Sequence, residues 1–220
     1  MHNPQTLPEP VVFADDHMIV VQKPAGLLCV PGRGADKQDC LAARIQRVYP
    51  DALVVHRLDM STSGLWLMAR GAQMQRRLSQ AFERREVTKR YIAVVAGRPS
   101  TGLAADEWAL IDLPLAADWP NRPLRIVDPV HGKPSQTRWR VLGTDEPGDS
   151  TRLLLEPITG RSHQLRVHLK ALGHPILGDM LYAPPLIQAR AARLLLHASG
   201  LRLTHPLTGS ALRFESAAPF

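Results

Sequence analysis

Two cysteines in 220 residues cannot supply a disulfide-stapled scaffold. Cys29 and Cys40 form no CxxC pair and have no zinc-type spacing, which fits free thiols in a reducing compartment better than a bridge. Long apolar runs are missing too: none approaches the roughly 20 residues that cross a bilayer. The first residues, Met1-His2-Asn3-Pro4-Gln5, carry neither the basic nor the apolar part of a secretion leader. The expectation is a cytoplasmic protein with no membrane association. Phosphate-cradling and dinucleotide fingerprints are lacking as well. Gly32-x-Gly34 has no third glycine and no strand–helix setting. His163 and His168 stand too far round a helix to chelate together. No cofactor and no metal are therefore expected. No internal repeat and no heptad pattern is present, so a monomer is expected.

Acids are outnumbered, 20 against 27 lysines and arginines, which leaves a formal net charge of +7. A basic surface draws phosphate backbones at long range and releases counterions when it binds them. Arg70, Arg76, Arg77, Arg84, Arg85, Lys89 and Arg90 fall close together, and Arg161, Arg166 and Lys170 form a second group. Glu83 and Glu86 offset part of the first group, so some of it reads as an ordinary solvated helix face. A polyanion partner is therefore expected.

Hydrophobic spacing outlines the elements. Residues 1–10 hold three prolines and read as a flexible arm, and residues 11–220 read as one domain. Met18 to Val21 is a strand stopped by Lys23-Pro24, since proline cannot donate to a ladder. Asp39 is expected to cap a helix with Leu41, Ile45 and Val48 on its apolar face. Leu65 to Ala69 reads as a buried strand, and Met74, Leu78, Ala81 and Phe82 place an amphipathic helix over 72–86. Tyr91 to Val95 reads as a strand and Leu113 to Pro123 as a loop. Thr137–Leu142 and Arg152–Glu156 read as a strand pair across the turn Glu146-Pro147-Gly148-Asp149. Gln164 to Leu172 reads as a helix with Leu165, Leu169 and Leu172 on one face, and Leu194–His197 and Leu201–Thr204 as two late strands. Without strict βαβ alternation the class is α+β, a mixed, mainly antiparallel sheet flanked by helices.

The chemistry is concentrated in His56-Arg57-Leu58-Asp59-Met60-Ser61-Thr62-Ser63-Gly64, where one carboxylate stands between a basic pair and a small hydroxyl-rich turn. An Asp in such a place often does no more than cap its own turn. Here it has company. Lys23-Pro24-Ala25-Gly26, Lys89-Arg90-Tyr91, Gly160-Arg161-Ser162-His163-Gln164-Leu165-Arg166, Gly173-His174-Pro175-Ile176-Leu177-Gly178-Asp179 and Leu194-Leu195-Leu196-His197-Ala198 follow in order. Together with the Asp59 segment these resemble the motifs of the RluA family of pseudouridine synthases along nearly the whole chain.

That resemblance implies the pseudouridine synthase fold with a central catalytic cleft, and an isomerase that turns uridine in RNA into pseudouridine without a cofactor, with no DNA partner expected. It implies Asp59 as the catalytic carboxylate, either attacking C1′ or removing a sugar proton; both roles need the ionised form. It implies Arg161 as its basic partner, Tyr91 stacked on the uracil, Leu165 beneath the base, and Arg57 entering the RNA stack that the uridine has left. Base extrusion is a physical necessity, because the reacting edge is otherwise hidden. His56 is grouped with the substrate-binding residues, although His56, His163, His168 and His197 also suit plain local hydrogen bonding. With Asp59 so early in the chain, no added N-terminal RNA-binding domain is expected. The segment Leu113 to Pro123 resembles that of family members acting on both 23S rRNA and the tRNA anticodon stem-loop, with Arg122 contributing to binding. Other readings are an enzyme for one of those RNAs, an RNA-remodelling protein whose catalysis is dispensable, and a glycoside-type hydrolase. The last usually needs two carboxylates flanking the bond, and no second acid adjoins Asp59.

Overall fold

The computed structural model describes residues 9–100, 107–145 and 149–220. In chain order the first elements are β1 (Val11–Ala14), β2 (Met18–Lys23), α1 (Leu41–Gln46), β3 (Ala52–Val54), β4 (Ser63–Arg70) and α2 (Ala72–Glu83). Then come β5 (Thr88–Ala96), β6 (Ala109–Asp112), β7 (Leu115–Ala117), β8 (Arg125–Val127), β9 (Gln136–Asp145) and β10 (Ser150–Pro157). The chain closes with α3 (Gln164–Ala171), α4 (Pro185–Gln188), β11 (Leu196–Thr204) and β12 (Ala211–Glu215). The strand pairings are antiparallel wherever a register is defined, and the class is α+β as expected. No helix of the described residues is long and apolar enough to cross a membrane.

The chain divides into two compact units. One comprises Met1–Thr88 with Ala198–Ala218, the other Lys89–His197 with Pro219–Phe220.

In the first unit the strand order is β1-β2-β4-β11, with β3 on β4 and β12 on β11. Leu65-Trp66-Leu67-Met68-Ala69 is apolar but for one indole N–H, so both faces of β4 must be covered. Seven of its eight residues are buried. Met18 and Val20 of β2, Leu65, Leu67 and Ala69 of β4, and Met74 and Leu78 of α2 share one core. The register of β2 on β4 sets Lys23 opposite Gly64, which brings the Lys-Pro turn to the same sheet end as the Asp59 segment. Gly64 sits at φ +113°, and a Cβ there would fall 2.3 Å from the Ala198 carbonyl oxygen, so only glycine lets β4 start this close to β11.

In the second unit the order is β5-β10-β9-β6. Tyr91 stands opposite Leu155, and a bulge interrupts β9–β10 between Arg152 and Leu153. Leu165 and Leu169 of α3 close the core over Ala93, Val95, Leu153 and Leu155. His168 is buried on the inner side of α3. Its Nε2 donates to the Leu113 carbonyl at 3.0 Å and its Nδ1 faces the Thr137 hydroxyl at 2.9 Å. Burial holds its pKa below the ordinary 6.5, against the opposing pull of the Leu113 carbonyl and Asp112. The depressed value makes this group's stabilisation full above pH 6.5 and lost as pH falls through the lower folded value, because the unfolded state binds the proton more readily. Chemical denaturation between pH 7 and 5 should show stability falling with acidification, with a shallower slope in His168→Asn. An unchanged slope in that variant would refute the assignment.

Several expectations need correction. The arm expected over 1–10 has residues 1–8 outside the described residues, but its last two are anchored. Buried Glu9 forms an ion pair with Arg44, and the Pro10 carbonyl accepts the Gln22 amide at 2.9 Å. The cap of α1 is Cys40, whose sulfur accepts from the Ala43 amide, while Asp39 is held by Arg44. Val48 lies past the end of α1 and is exposed, and Leu172 lies past α3 and is exposed as well. The two late strands are one, β11, because pairing with β12 carries the ladder through Gly200 and Leu201. The loop expected over 113–123 contains β7, which pairs β8 as a short hairpin. Of the turn expected over 146–149, residues 146–148 lie outside the described residues.

Candidate active-site residues

The Asp59 turn belongs to the first unit, and it is gripped from one side. The Thr62 amide donates to the Asp59 carbonyl at 3.1 Å, closing a turn over Asp59–Thr62. Lys23 is only 2% exposed. A buried ammonium needs acceptors, and Lys23 Nζ finds them in the Pro24, Met60 and Thr62 carbonyls at 2.8, 2.9 and 2.7 Å. The Gly26 amide donates to the same Met60 carbonyl at 2.8 Å. Cys29 reaches residue 58 from the other direction. Its sulfur accepts from the Leu58 amide at 3.3 Å and donates to the Leu58 carbonyl at 3.4 Å. Burial pushes the Cys29 thiol above its ordinary range, with Lys23 and Arg57 opposing and Asp59 reinforcing the shift, so the donor proton is kept. Carbonyls 58, 60 and 62 are thus all held by the segment that begins at Lys23.

His56 takes its place in the same structure. Its Nε2 accepts from the Leu67 amide at 3.1 Å, its carbonyl accepts from Trp66 Nε1 at 3.0 Å, and its ring stacks on Phe82 with centroids 4.4 Å apart. The imidazole thereby fixes the entry to the turn against β4 and α2. Leu58 points into the protein, Asp59 is half-buried and Arg57 is exposed. The alternation leaves the arginine in water and its neighbouring acid partly sheltered.

Tyr91, Arg161 and Leu165 belong to the second unit. Leu165 is buried at the start of α3, and the half-buried Tyr91 packs against the same core cluster. Arg161 is exposed, with its Nε 3.4 Å from the Pro134 carbonyl. Its backbone is fixed by Gln164, which is 3% exposed and fully employed. Gln164 Oε1 accepts from the Arg161 amide at 3.0 Å and the Thr159 hydroxyl at 2.7 Å. Its Nε2 donates to the Gln136 carbonyl and the Thr137 hydroxyl, both at 3.0 Å. Thr137 passes the chain of bonds on to His168. The left-handed His163 (φ 58°) then starts α3.

Arg122 stands at the tip of the β7–β8 hairpin, with its guanidinium 3.7 Å above the Trp119 ring. The hairpin is tied to the Arg161 turn. The Tyr182 hydroxyl accepts from the Arg125 amide at 2.9 Å and meets His163 Nδ1 at 2.6 Å.

The structure therefore gathers His56, Arg57 and Asp59 in one unit, and Tyr91, Arg161 and Leu165 in the other. Among the described residues no three His, Cys, Asp or Glu side chains gather to hold a metal ion. Lys23, Cys29 and Gln164 were not singled out from sequence. Lys23 did carry a signal, since a lysine at the end of an apolar strand must find acceptors if it stays inside. The bonds of Cys29 to Leu58 and of Gln164 to Gln136 and Thr137 span sequence separations that no local pattern reveals.

Comparison with known proteins adds independent information. Residues 17–171 match a family model described as RNA pseudouridylate synthase. The chain is 50% identical over 211 residues to "Dual-specificity RNA pseudouridine synthase RluA" of Escherichia coli strain K12, covering 96% of this chain and 93% of that protein. It is likewise 50% identical over 210 residues to the protein of the same name from Yersinia pestis, covering 96% and 99%. Among solved structures, "Human RNA Pseudouridylate Synthase Domain Containing 1" superposes with a TM-score of 0.78 at 28% identity, covering 100% of this chain and 87% of that one.

Proposed function

The chain belongs to the RNA pseudouridylate synthase family, and we propose that it isomerises uridine in both 23S rRNA and the tRNA anticodon stem-loop. The single observation that carries this reading is the half-identity, over almost the full length of both partners, to relatives named for dual specificity. The matched residues 17–171 run through both units, which supports reading 11–220 as one catalytic domain. Two free, buried thiols suit a reducing cytoplasm, where the protein acts as a monomer.

The roles follow the chemistry of each position. Asp59 acts on the ribose of the target uridine, at C1′ or at a sugar proton, so that the N1–C1′ bond breaks. The uracil stays bound, turns, and rejoins C1′ through C5, after which the C5 proton leaves to water. Atoms and electrons balance without any external redox partner. Tyr91 offers a π-face to the base and Leu165 an apolar floor. Arg161, which the family resemblance assigns as the basic partner of the catalytic carboxylate, is delivered on a turn that Gln164 holds rigid. Arg57, the exposed neighbour of the acid, fills the gap in the stacked RNA, where a guanidinium offsets part of the unstacking cost of a few kcal/mol. His56 serves the substrate by fixing the turn, and Arg122 meets the RNA from the hairpin.

The test is to incubate the protein with unmodified tRNA and with unmodified 23S rRNA and to map pseudouridine in each by carbodiimide-dependent primer extension. A new stop in one loop of each RNA is expected; modification of one RNA alone would limit the activity to that substrate. Binding should also weaken steeply as salt rises, since many contacts are to phosphates. A flat salt response would contradict the basic-surface reading.

A further inference from the structure

An indole left 66% exposed at the tip of a short hairpin demands an account, and Trp119 is such a residue. One of its faces is covered by the Arg122 guanidinium at 3.7 Å. The hairpin beneath is well fastened. Leu115 packs in a small core with Val167 of α3 and Tyr182, with Leu124 and Val127 against it. The single acid at the tip, Asp118, is occupied by Asn121, accepting from its amide at 3.3 Å and its side-chain nitrogen at 3.1 and 3.0 Å. Both arginines of the hairpin therefore keep their charge uncompensated, as Arg122 and Arg125 make no ion pair among the described residues. Arg125 is half-buried, and its Nε is covered and has no hydrogen-bond partner.

A flat aromatic face beside two uncompensated guanidinium groups matches single-stranded RNA, which offers bases to stack and phosphates to pair. A folded duplex hides its bases and leaves none to stack on an exposed ring. We propose that Trp119 is a base-stacking residue for a splayed loop nucleotide of the RNA substrate, with Arg122 backing the indole and Arg125 paired to a neighbouring phosphate. This rests on the RNA-modifying reading above and extends it to a residue which that reading leaves without a role. The Tyr182 hydroxyl, bonded both to the Arg125 amide and to His163, links this platform to the turn that carries Arg161. Seating the loop nucleotide on Trp119 thus registers the RNA against a candidate catalytic turn of the same unit.

Indole fluorescence tests it directly. The chain has four tryptophans, of which Trp66 and Trp139 are buried. An unmodified anticodon stem-loop RNA should quench the emission of the wild-type protein, and a loopless duplex of equal length should quench it far less. Trp119→Phe should lose most of the quench yet keep most of the affinity, because a ring remains. Trp119→Ala should bind the stem-loop about tenfold more weakly, the scale of one lost base stack, with the loss falling on KM more than on kcat. Melting temperatures of both variants should match wild type, since the ring is exposed. Equal quenching in wild type and Trp119→Phe, or wild-type affinity in Trp119→Ala, would overturn the proposal. A wild-type protein that quenches with the stem-loop but modifies no RNA would count against the isomerase reading while supporting the platform.

Discussion

Asp59→Ala should bind stem-loop RNA with near wild-type affinity and release essentially no tritium from RNA labelled at uridine C5. The expected loss of rate is on the order of 10⁴-fold or more, the range seen when the group that touches the reacting bond is deleted. The geometry separates this effect from unfolding. The Asp59 turn is held through its backbone, by Lys23 on the Met60 and Thr62 carbonyls and by Cys29 on residue 58. None of those bonds uses the Asp59 carboxylate, so the turn should keep its shape in the variant. Lys23→Met should instead free carbonyls 60 and 62 and disturb stability along with activity. A residual rate within tenfold of wild type in Asp59→Ala would move the chemistry to another residue, and lost RNA binding would make Asp59 an anchor.

The second large effect concerns stability. Arg166 and Asp179 are an almost fully buried pair, joined by two bonds of 2.8 and 2.6 Å. The Asp179 carboxylate also accepts from the Leu181 and Tyr182 amides, and the Arg166 guanidinium lies 5.0 Å from the Tyr182 ring centroid. Removing one member leaves a buried charge without its counter-ion, which costs about 3–5 kcal/mol, whereas replacing both by apolar groups costs much less. Urea denaturation should therefore show Arg166→Met losing that amount, and the double variant Arg166→Met/Asp179→Leu losing less than the two single variants added together. Strict additivity would mean that the pair is not coupled. Because Tyr182 anchors both the β7–β8 hairpin and the start of α3, the single variant should also lose RNA affinity before it unfolds.

How much of this could be read from the sequence depends on the range of the forces involved. β4 was legible because an all-apolar pentapeptide has only one kind of home, and α2 because Met74 and Leu78 repeat at helical spacing. The class followed from the order of such elements. Errors arose where a distant partner, or a competing near one, decides the outcome. Ser199-Gly200 looks like a break in the chain's apolar pattern, yet pairing of Gly200 with Glu215 keeps β11 continuous. Asp39 looks like a helix cap, but Arg44 competes for its carboxylate, and the sulfur of Cys40 takes the capping position.

For the candidate site the contrast is similar. Asp59, Tyr91, Arg161 and Leu165 could be named because each sits in a recognisable string. The residues that hold them could not, because the grip of Lys23 on Thr62, or of Gln164 on Gln136, exists only after folding. His56 illustrates both halves. It was placed from its string among the substrate-binding residues, and the structure shows its imidazole bonded to Leu67 and stacked on Phe82.

This chain isomerises uridine in place. The direct measurement is a product balance on a single tRNA labelled with tritium at uridine C5. Released tritium, pseudouridine in the recovered RNA and free uracil in solution would be quantified together. One released tritium per pseudouridine, with no free uracil and no abasic site, is the predicted result. Free uracil with an abasic RNA would contradict the isomerase account and make the protein a hydrolase.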